Sequence, residues 1–358
     1  MPDADQHSHA RPKGRGATGN VPNRYHERTT ERCDDGWHQE DLPPLRTSLG
    51  VDRARSAISW NDSPDIPFDR SVNPYRGCEH GCIYCYARPS HAWLDLSPGL
   101  DFESRLFYKP DLPERLREAL SAKSYKPAPM AIGSITDAYQ PIEREQGLTR
   151  QIIEILCESR HPFAVITKSA LIERDLDLIG AAAQAGIAQV AVSLTTLQPA
   201  LARQMEPRAA TPIRRLKVIE RLAERGIPVR LMVAPIVPVL TDHELETLMR
   251  AGREAGASAA CYVLLRLPRE LSSLFRQWLQ EVAPDSFDHV MNRLREAHGD
   301  HDYDSEFGHR MTGTGVYADL LAQRFDLACR RLGLQHGIPD LRSDRFDAAA
   351  LHGQLSLF

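Results

Sequence analysis

The run NPYRGCEHGCIYCYARP, residues 73–89, places Cys78, Cys82 and Cys85 on one short loop punctuated by glycines. Three thiolates spaced by three and then two residues can hold three corners of a cubic iron–sulfur cluster, and a 4Fe–4S cube has four irons to ligate. One iron is then left open, and an open iron is where a small molecule can bind and accept an electron. A closed zinc site is the competing reading, with His80 or a distant residue as the fourth Cys/His ligand. His80 lies between Cys78 and Cys82, so its ring would have to fold back onto the same metal, and the paired C-x2-C spacing of zinc sites is absent. Disulfides fit less well, because seven cysteines are an odd number and Cys33, Cys157, Cys261 and Cys329 are scattered.

Outward from this loop the pattern is regular. MAIGSITD (130–137), PFAVITKS (162–169), AQVAVSLTT (188–196), IPVRLMVAPIVPVL (227–240) and SAACYVLLRL (258–267) read as strands, and a further strand leads into the cysteine loop near residues 70–77. Between them 148–159, 171–186, 211–224 and 242–256 read as helices, the second closed by Gly186 and the last with Asp242 as its cap. About six βα units result, and strands alternating with helices imply a parallel sheet with right-handed crossovers. Six units are too few for a closed eight-stranded barrel. An open partial (β/α)6 barrel or a doubly wound sheet accommodates them. The three expected regions are a disordered polar N-terminal segment over 1–55, an α/β core over 56–268, and a helical C-terminal extension over 269–358 that covers one barrel mouth.

Composition narrows the class. A chain of 358 residues, 42% hydrophobic and 26% charged, has the apolar content of a globular protein. The net charge of -4 carries no overall basic bias toward nucleic acid or an anionic membrane. The first residues, MPDADQHSHARPKGRG, lack the apolar stretch of a secretory signal, and no run approaches the ~18 apolar residues of a membrane span. The expectation is a cytoplasmic protein without membrane contact, a compartment that keeps thiols reduced.

In parallel α/β barrels chemistry gathers at the carboxyl ends of the strands. Those ends read Gly133-Ser134-Ile135-Thr136-Asp137, Thr167-Lys168-Ser169, Ser193-Leu194-Thr195-Thr196, Ala234-Pro235 and Arg266. One face would therefore carry the cysteine loop, a cation, several hydroxyls and a glycine.

The three-cysteine spacing, with Tyr84 just before the last cysteine, resembles the radical S-adenosylmethionine (SAM) superfamily. The resemblance implies an open (β/α)6 barrel, a 4Fe–4S cluster on Cys78, Cys82 and Cys85, and SAM chelated to the fourth iron. It also implies reductive cleavage of SAM to a 5′-deoxyadenosyl radical that abstracts hydrogen from a substrate. An external electron donor such as flavodoxin or ferredoxin would then be a partner. Lys168 would pair with the SAM carboxylate as a compact charge. Carbonyls near Gly133 and Ser134, or the Asp137 carboxylate, would receive its ammonium, and Ser193 and Thr195 would serve its oxygens. The order of CxxxCxYCYAR, TD, VITKS, VSLTT and Glu206-Pro207, over roughly 70–240, looks like spore photoproduct lyase and its uncharacterised bacterial relatives. From that family Tyr84 and Tyr86 match aromatics near SAM, Lys168 the carboxylate-holding lysine, and Ser193 the serine on the next strand. The spore lyase carries a hydrogen-returning cysteine in the strand-two exit; Gly133–Asp137 has none, so repair of spore-type thymine dimers does not carry over. Cys261 reads as a small buried residue.

A nucleic-acid substrate, DNA or RNA, follows from this resemblance. Arg214, Lys217, Arg221 and Arg225 form a basic helical stripe that could meet phosphates, or a solvated face balanced by Glu220 and Glu224. Radical modification of a protein or peptide is the next reading, although no additional cysteine cluster stands in the C-terminal part. A non-catalytic zinc or iron–sulfur protein, or a redox sensor, is the reading from a different class.

Overall fold

Apolar alternation that stops at glycine or a polar residue produces strands of two to eight residues in the computed structural model, which describes residues 12–25, 45–337 and 340–352. In chain order they are β1 (Ser48–Val51), β2 (Ser59–Trp60), β3 (Arg70–Val72), β4 (Tyr75–Arg76), β5 (Arg105–Tyr108), β6 (Met130–Ile132), β7 (Phe163–Thr167), β8 (Ala188–Ser193), β9 (Val229–Ile236) and β10 (Ala259–Leu264). The main sheet runs β10-β9-β8-β7-β6-β3-β2. From β3 to β10 every pairing is parallel, and β2 caps one edge antiparallel to β3. The six parallel strands form an open sheet, with β10 and β2 at its two edges, as expected for a partial (β/α)6 barrel.

The alternation along β7 and β8 sorts their side chains. Phe163, Val165, Val190 and Val192 are buried in one apolar cluster with the helix residues Ile153, Leu156, Ile179, Ile219, Leu222 and Leu248. The intervening Ala164, Ile166, Gln189 and Ala191 are only partly buried, as period two requires when the other face lines an open interior. The flanking helices are Leu148–Glu158, Leu176–Gln184, Pro212–Glu224 and Leu245–Glu254.

The strand expected near 70–77 is two strands. Pro74 lacks an N–H for the ladder. The chain turns there, and Tyr75–Arg76 leaves the main sheet to pair with β5 in a small sheet of order β1-β5-β4. Asp242 does not cap its helix; its carboxylate accepts a bond from Tyr317 at 2.8 Å. Within the segment expected to be a disordered tail, residues 12–25 and 45–55 belong to the fold. Ser48–Val51 pairs in parallel with Arg105–Tyr108, and Arg15 and Ala17 are buried. Backbone hydrogen bonding and two small residues, Gly16 and Ala17, hold this polar stretch where apolar content alone would not. The remainder of that segment lies outside the described residues.

The C-terminal helices divide their labour. Gly315–Leu332 buries Tyr317, Leu321 and Phe325 in the same cluster as the strands. Leu271–Val282 and Phe287–Ala297 form a second cluster with Ile83 and Tyr84 of the cysteine loop, Met205 and Leu265, centred on Trp278. This second cluster backs the cysteine loop. Among the described residues no helix is long and apolar enough to cross a membrane.

Candidate metal centre and its pocket

The cysteine loop is a series of tight turns. Gly81 N–H donates to the Cys78 carbonyl (3.3 Å), Cys85 N–H to Cys82 (3.2 Å) and Arg88 N–H to Cys85 (3.1 Å). Gly77 has φ +74°, and a Cβ there would lie 2.8 Å from the Phe102 carbonyl oxygen, so only glycine fits. Turns of this kind leave carbonyls without partners, and Arg88 supplies them. Its fully buried guanidinium donates to the carbonyls of Gly81 (3.1 Å), Cys82 (2.8 Å), Pro98 (3.0 Å) and Gly99 (3.0 Å). Its charge is met by Glu103, also fully buried, whose oxygens further accept the N–H groups of Gly16 and Ala17 at 2.8 Å each. Gly16 sits so close that a Cβ on it would lie 1.7 Å from the Gly81 carbonyl oxygen. Gln140 ties the loop to the strand-two exit, donating to the Gly77 carbonyl (3.1 Å) and accepting from Glu79 N–H (3.0 Å).

Cys78 and Cys82 are buried and Cys85 partly so, and none of the three is in a disulfide. Burial pushes all three thiols up, and their mutual proximity adds to this for Cys78 and Cys82. Among the described residues no three His, Cys, Asp or Glu side chains converge on the position of a single ion. A lone zinc needs its ligands about 2–2.3 Å from one point, whereas a cluster takes each thiolate on a separate iron. The three thiols share one loop, where each could serve a separate iron of a cluster. His80, the suggested fourth zinc ligand, has Nδ1 3.3 Å from Asp137.

The expected pocket residues fall into three groups. In the first, Lys168 Nζ donates to Ser193 Oγ at 2.9 Å and stands 5.8 Å from the centre of the Tyr84 ring. Ser193 donates onward to the Ala234 carbonyl (2.9 Å), and Thr195 to Glu206 (2.9 Å). Glu206 also accepts from the Tyr84 hydroxyl and pairs with buried Arg215. In the second, the half-exposed Tyr86 donates to the Ser134 carbonyl, while Asn73 bonds Ser134 Oγ (3.3 Å) and Ile135 N–H (3.1 Å). Gly133 adopts φ +84° beneath them, where a Cβ would meet the Ile166 carbonyl oxygen at 2.7 Å.

The third is Asp137, whose two oxygens accept from Tyr139 N–H (2.9 Å), Thr167 hydroxyl (2.8 Å) and Lys168 N–H (2.7 Å). Burial alone would raise this carboxyl; the adjacent His80 ring and these bonds hold it at about 2. Asp137 is therefore a brace between strand ends rather than the open acceptor suggested for an ammonium group, and Thr195 likewise has its hydroxyl engaged internally. Arg88, Glu103, Gln140, Glu206 and Arg215 were not among the expected site residues. Gln140 and Glu103 reach partners more than sixty positions away, whereas Arg88 pairs with Glu103 and Arg215 with Glu206 at separations of 15 and 9.

The basic stripe is compensated. Arg214 (2.5 Å) and Arg221 both pair with Glu173, and Lys217 pairs with Glu220 (2.6 Å). Three of its four cations are thus engaged, two of them sharing one carboxylate. Cys261 is opposite Met232 in the β10–β9 register, with Arg230 as its charged neighbour.

The fold is an open α/β sheet of six parallel strands that carries three free cysteines on the loop after its first parallel strand. The radical SAM superfamily model matches residues 72–251, and the chain belongs to that superfamily. It is a radical SAM enzyme, a class that works with SAM and an iron–sulfur cluster. An uncharacterised protein of Mycobacterium tuberculosis is 38% identical over 233 residues, spanning 64% of this chain and 67% of that protein. One of Methanocaldococcus jannaschii is 27% identical over 223 residues, 62% of this chain and 79% of the other. Spore photoproduct lyase complexed with dinucleoside spore photoproduct has a similar fold, with TM-score 0.57 and 15% identity over 80% of this chain and 81% of that one. A variant of that lyase with bound AdoMet and dinucleoside spore photoproduct gives TM-score 0.53 and 16% identity over 79% and 78%.

Proposed function

We propose that the chain holds a 4Fe–4S cluster through Cys78, Cys82 and Cys85 and binds SAM beside it through Tyr84, Tyr86, Gly133, Ser134, Lys168 and Ser193. When bound, the cluster and SAM supply an electron and a 5′-deoxyadenosyl radical for hydrogen abstraction. The observation that carries this reading is Lys168. Its ammonium lies against Tyr84, two positions from Cys82 and next to Cys85, and no carboxylate pairs with it among the described residues. A cation held by a serine and an aromatic ring, and left without an acid, suits an incoming carboxylate. Glu206 and Arg215 hold Tyr84 and the Ser193 backbone in place from behind, the latter through Arg215 to the Ser193 carbonyl at 3.0 Å. The Gly133 carbonyl is the acceptor left for the ammonium, since Asp137 is occupied. Thr195, 1% exposed, helps keep water from this side of the pocket.

For the substrate we favour nucleic acid, on the likeness to a lyase solved with a dinucleoside lesion. The missing cysteine after β6 argues for a reaction other than spore-lesion reversal. The electron comes from an external donor of the flavodoxin or ferredoxin kind. Lys168→Ala is expected to weaken SAM binding at least tenfold, the scale of a lost charged hydrogen bond, while the cluster absorbance stays unchanged. Equilibrium binding of SAM to the anaerobically reconstituted protein measures this. The reaction class itself is tested by dithionite reduction and assay for 5′-deoxyadenosine. A fully loaded protein that makes none is a metal-binding or sensing protein instead.

A further inference from the structure

We propose that Arg266 anchors a phosphate of the nucleic-acid substrate at the mouth of the SAM pocket; this rests on the radical SAM reading above and extends it to the substrate. Arg266 stands two residues past the end of β10, at the carboxyl end of the parallel strands. Its guanidinium stands 5.4 Å from the Tyr86 ring centre and 5.6 Å from that of Tyr303. One Nη donates to the Tyr303 hydroxyl (3.1 Å), the other faces the Met311 sulfur (2.9 Å), and Nε is buried with no partner. A thioether is a weak acceptor, so most of this donor set is unspent.

Asp65 lies close enough to feel the Arg266 charge, but among the described residues the two form no ion pair. Asp65 is taken by Arg310 (2.5 Å) and Gly308 N–H (2.7 Å), and Asp302 by Ser272, Arg276 and Arg295. Among the described residues Arg266 has no ion pair, whereas Arg208, Arg276, Arg295 and Arg310 around the site each have one. Two cations without acids therefore flank the two tyrosines that bracket Cys85: Lys168 against Tyr84, and Arg266 against Tyr86. The first accounts for the SAM carboxylate. The second needs another anion.

A planar guanidinium stiffened by ring contacts is suited to an oxyanion with two oxygens to offer. Of the two rings beside it, Tyr86 is half-exposed. Aromatic faces next to an arginine are what an unstacked base and its phosphate use together, and an acidic peptide would leave the rings without a role.

The test uses anaerobically reconstituted holoenzyme and a fluorescein-labelled oligothymidylate, followed by anisotropy across a salt series. Arg266→Gln is expected to weaken oligonucleotide binding about tenfold and to lower the salt slope by about one. SAM affinity and cluster absorbance should not change. Arg266→Lys should recover only part of the affinity, because an ammonium lacks the fork. Tyr303→Phe, which frees the guanidinium without removing it, guards against a folding defect in the glutamine variant and should bind no worse than about twofold below wild type. The proposal is overturned if wild type does not bind the oligonucleotide or if Arg266→Gln binds it unchanged. It is also overturned if SAM affinity falls in parallel, or if a glutamate-rich peptide competes as well as DNA. Absence of 5′-deoxyadenosine from the loaded wild type would instead break the enzyme reading, a separate result from the binding curves.

Discussion

Glu103→Ala is expected to cost about 3–5 kcal/mol of stability, the usual penalty for leaving one member of a buried ion pair uncompensated. Glu103 and Arg88 are both fully buried, and the same carboxylate holds the N–H groups of Gly16 and Ala17. For a chain of this size the loss corresponds to a drop in melting temperature of roughly 5 °C. The consequence for the metal is larger. Without its counter-charge Arg88 can no longer rest beneath the carbonyls of Gly81 and Cys82, and residues 12–25 lose their grip on the outer side of the loop. Iron retained after anaerobic reconstitution and desalting should fall to a small fraction of wild type, read by iron and sulfide analysis alongside calorimetry. A double variant, Arg88→Met with Glu103→Leu, removes the unpaired charge but should regain only part of the melting temperature, because four loop carbonyls and two N–H groups lose their partners. It should not regain the iron, because the loop carbonyls stay unsatisfied. If the single variant melts like wild type and keeps its cluster, the buried pair is incidental.

The second large effect concerns the thiols. Replacing any one of Cys78, Cys82 or Cys85 by alanine is expected to reduce iron from about four per chain, the count of a cubic cluster, to near zero, and to abolish 5′-deoxyadenosine formation. The fold should survive, because Cys78 and Cys82 are small buried groups at the edge of apolar clusters rather than at their centres. Circular dichroism that matches wild type, together with lost iron, is the expected pair of readings. Zinc retained by the variants, or present in place of iron in the wild type after anaerobic preparation, would point back to the zinc reading. By contrast Cys157→Ala, Cys261→Ala and Cys329→Ala should leave the iron untouched, since those thiols lie away from the loop.

Much of the chain's organisation is visible in residues that are close neighbours in sequence. Period-two alternation in Phe163–Thr167 and Ala188–Ser193, glycine stops after the helices, and the Cys78-Cys82-Cys85 spacing are all short-range patterns, and each appears where it was expected. Burial on one face of a strand follows from the side chains of that strand, so a local reading suffices. The stretch around Pro74 reads locally as one strand, but Pro74 has no N–H for the ladder and Tyr75–Arg76 finds its partner in β5.

Charge and hydrogen bonding are a different matter. Whether a basic stripe is free depends on Glu173, some forty residues away from Arg214 and Arg221. Whether Asp137 is open to a ligand depends on Thr167 and Lys168, thirty residues on. The polar segment 12–25 is ordered because Glu103 lies 87 residues further along and presents its carboxylate to Gly16. Composition places these groups in the protein but not against each other. A buried polar atom must find a partner in space, and folding alone brings such distant atoms together. Barrel and thiol loop were therefore readable along the chain, while the strap over that loop, the ion pairs of the outer helix and an Arg266 without an ion pair emerged only once the strands had assembled.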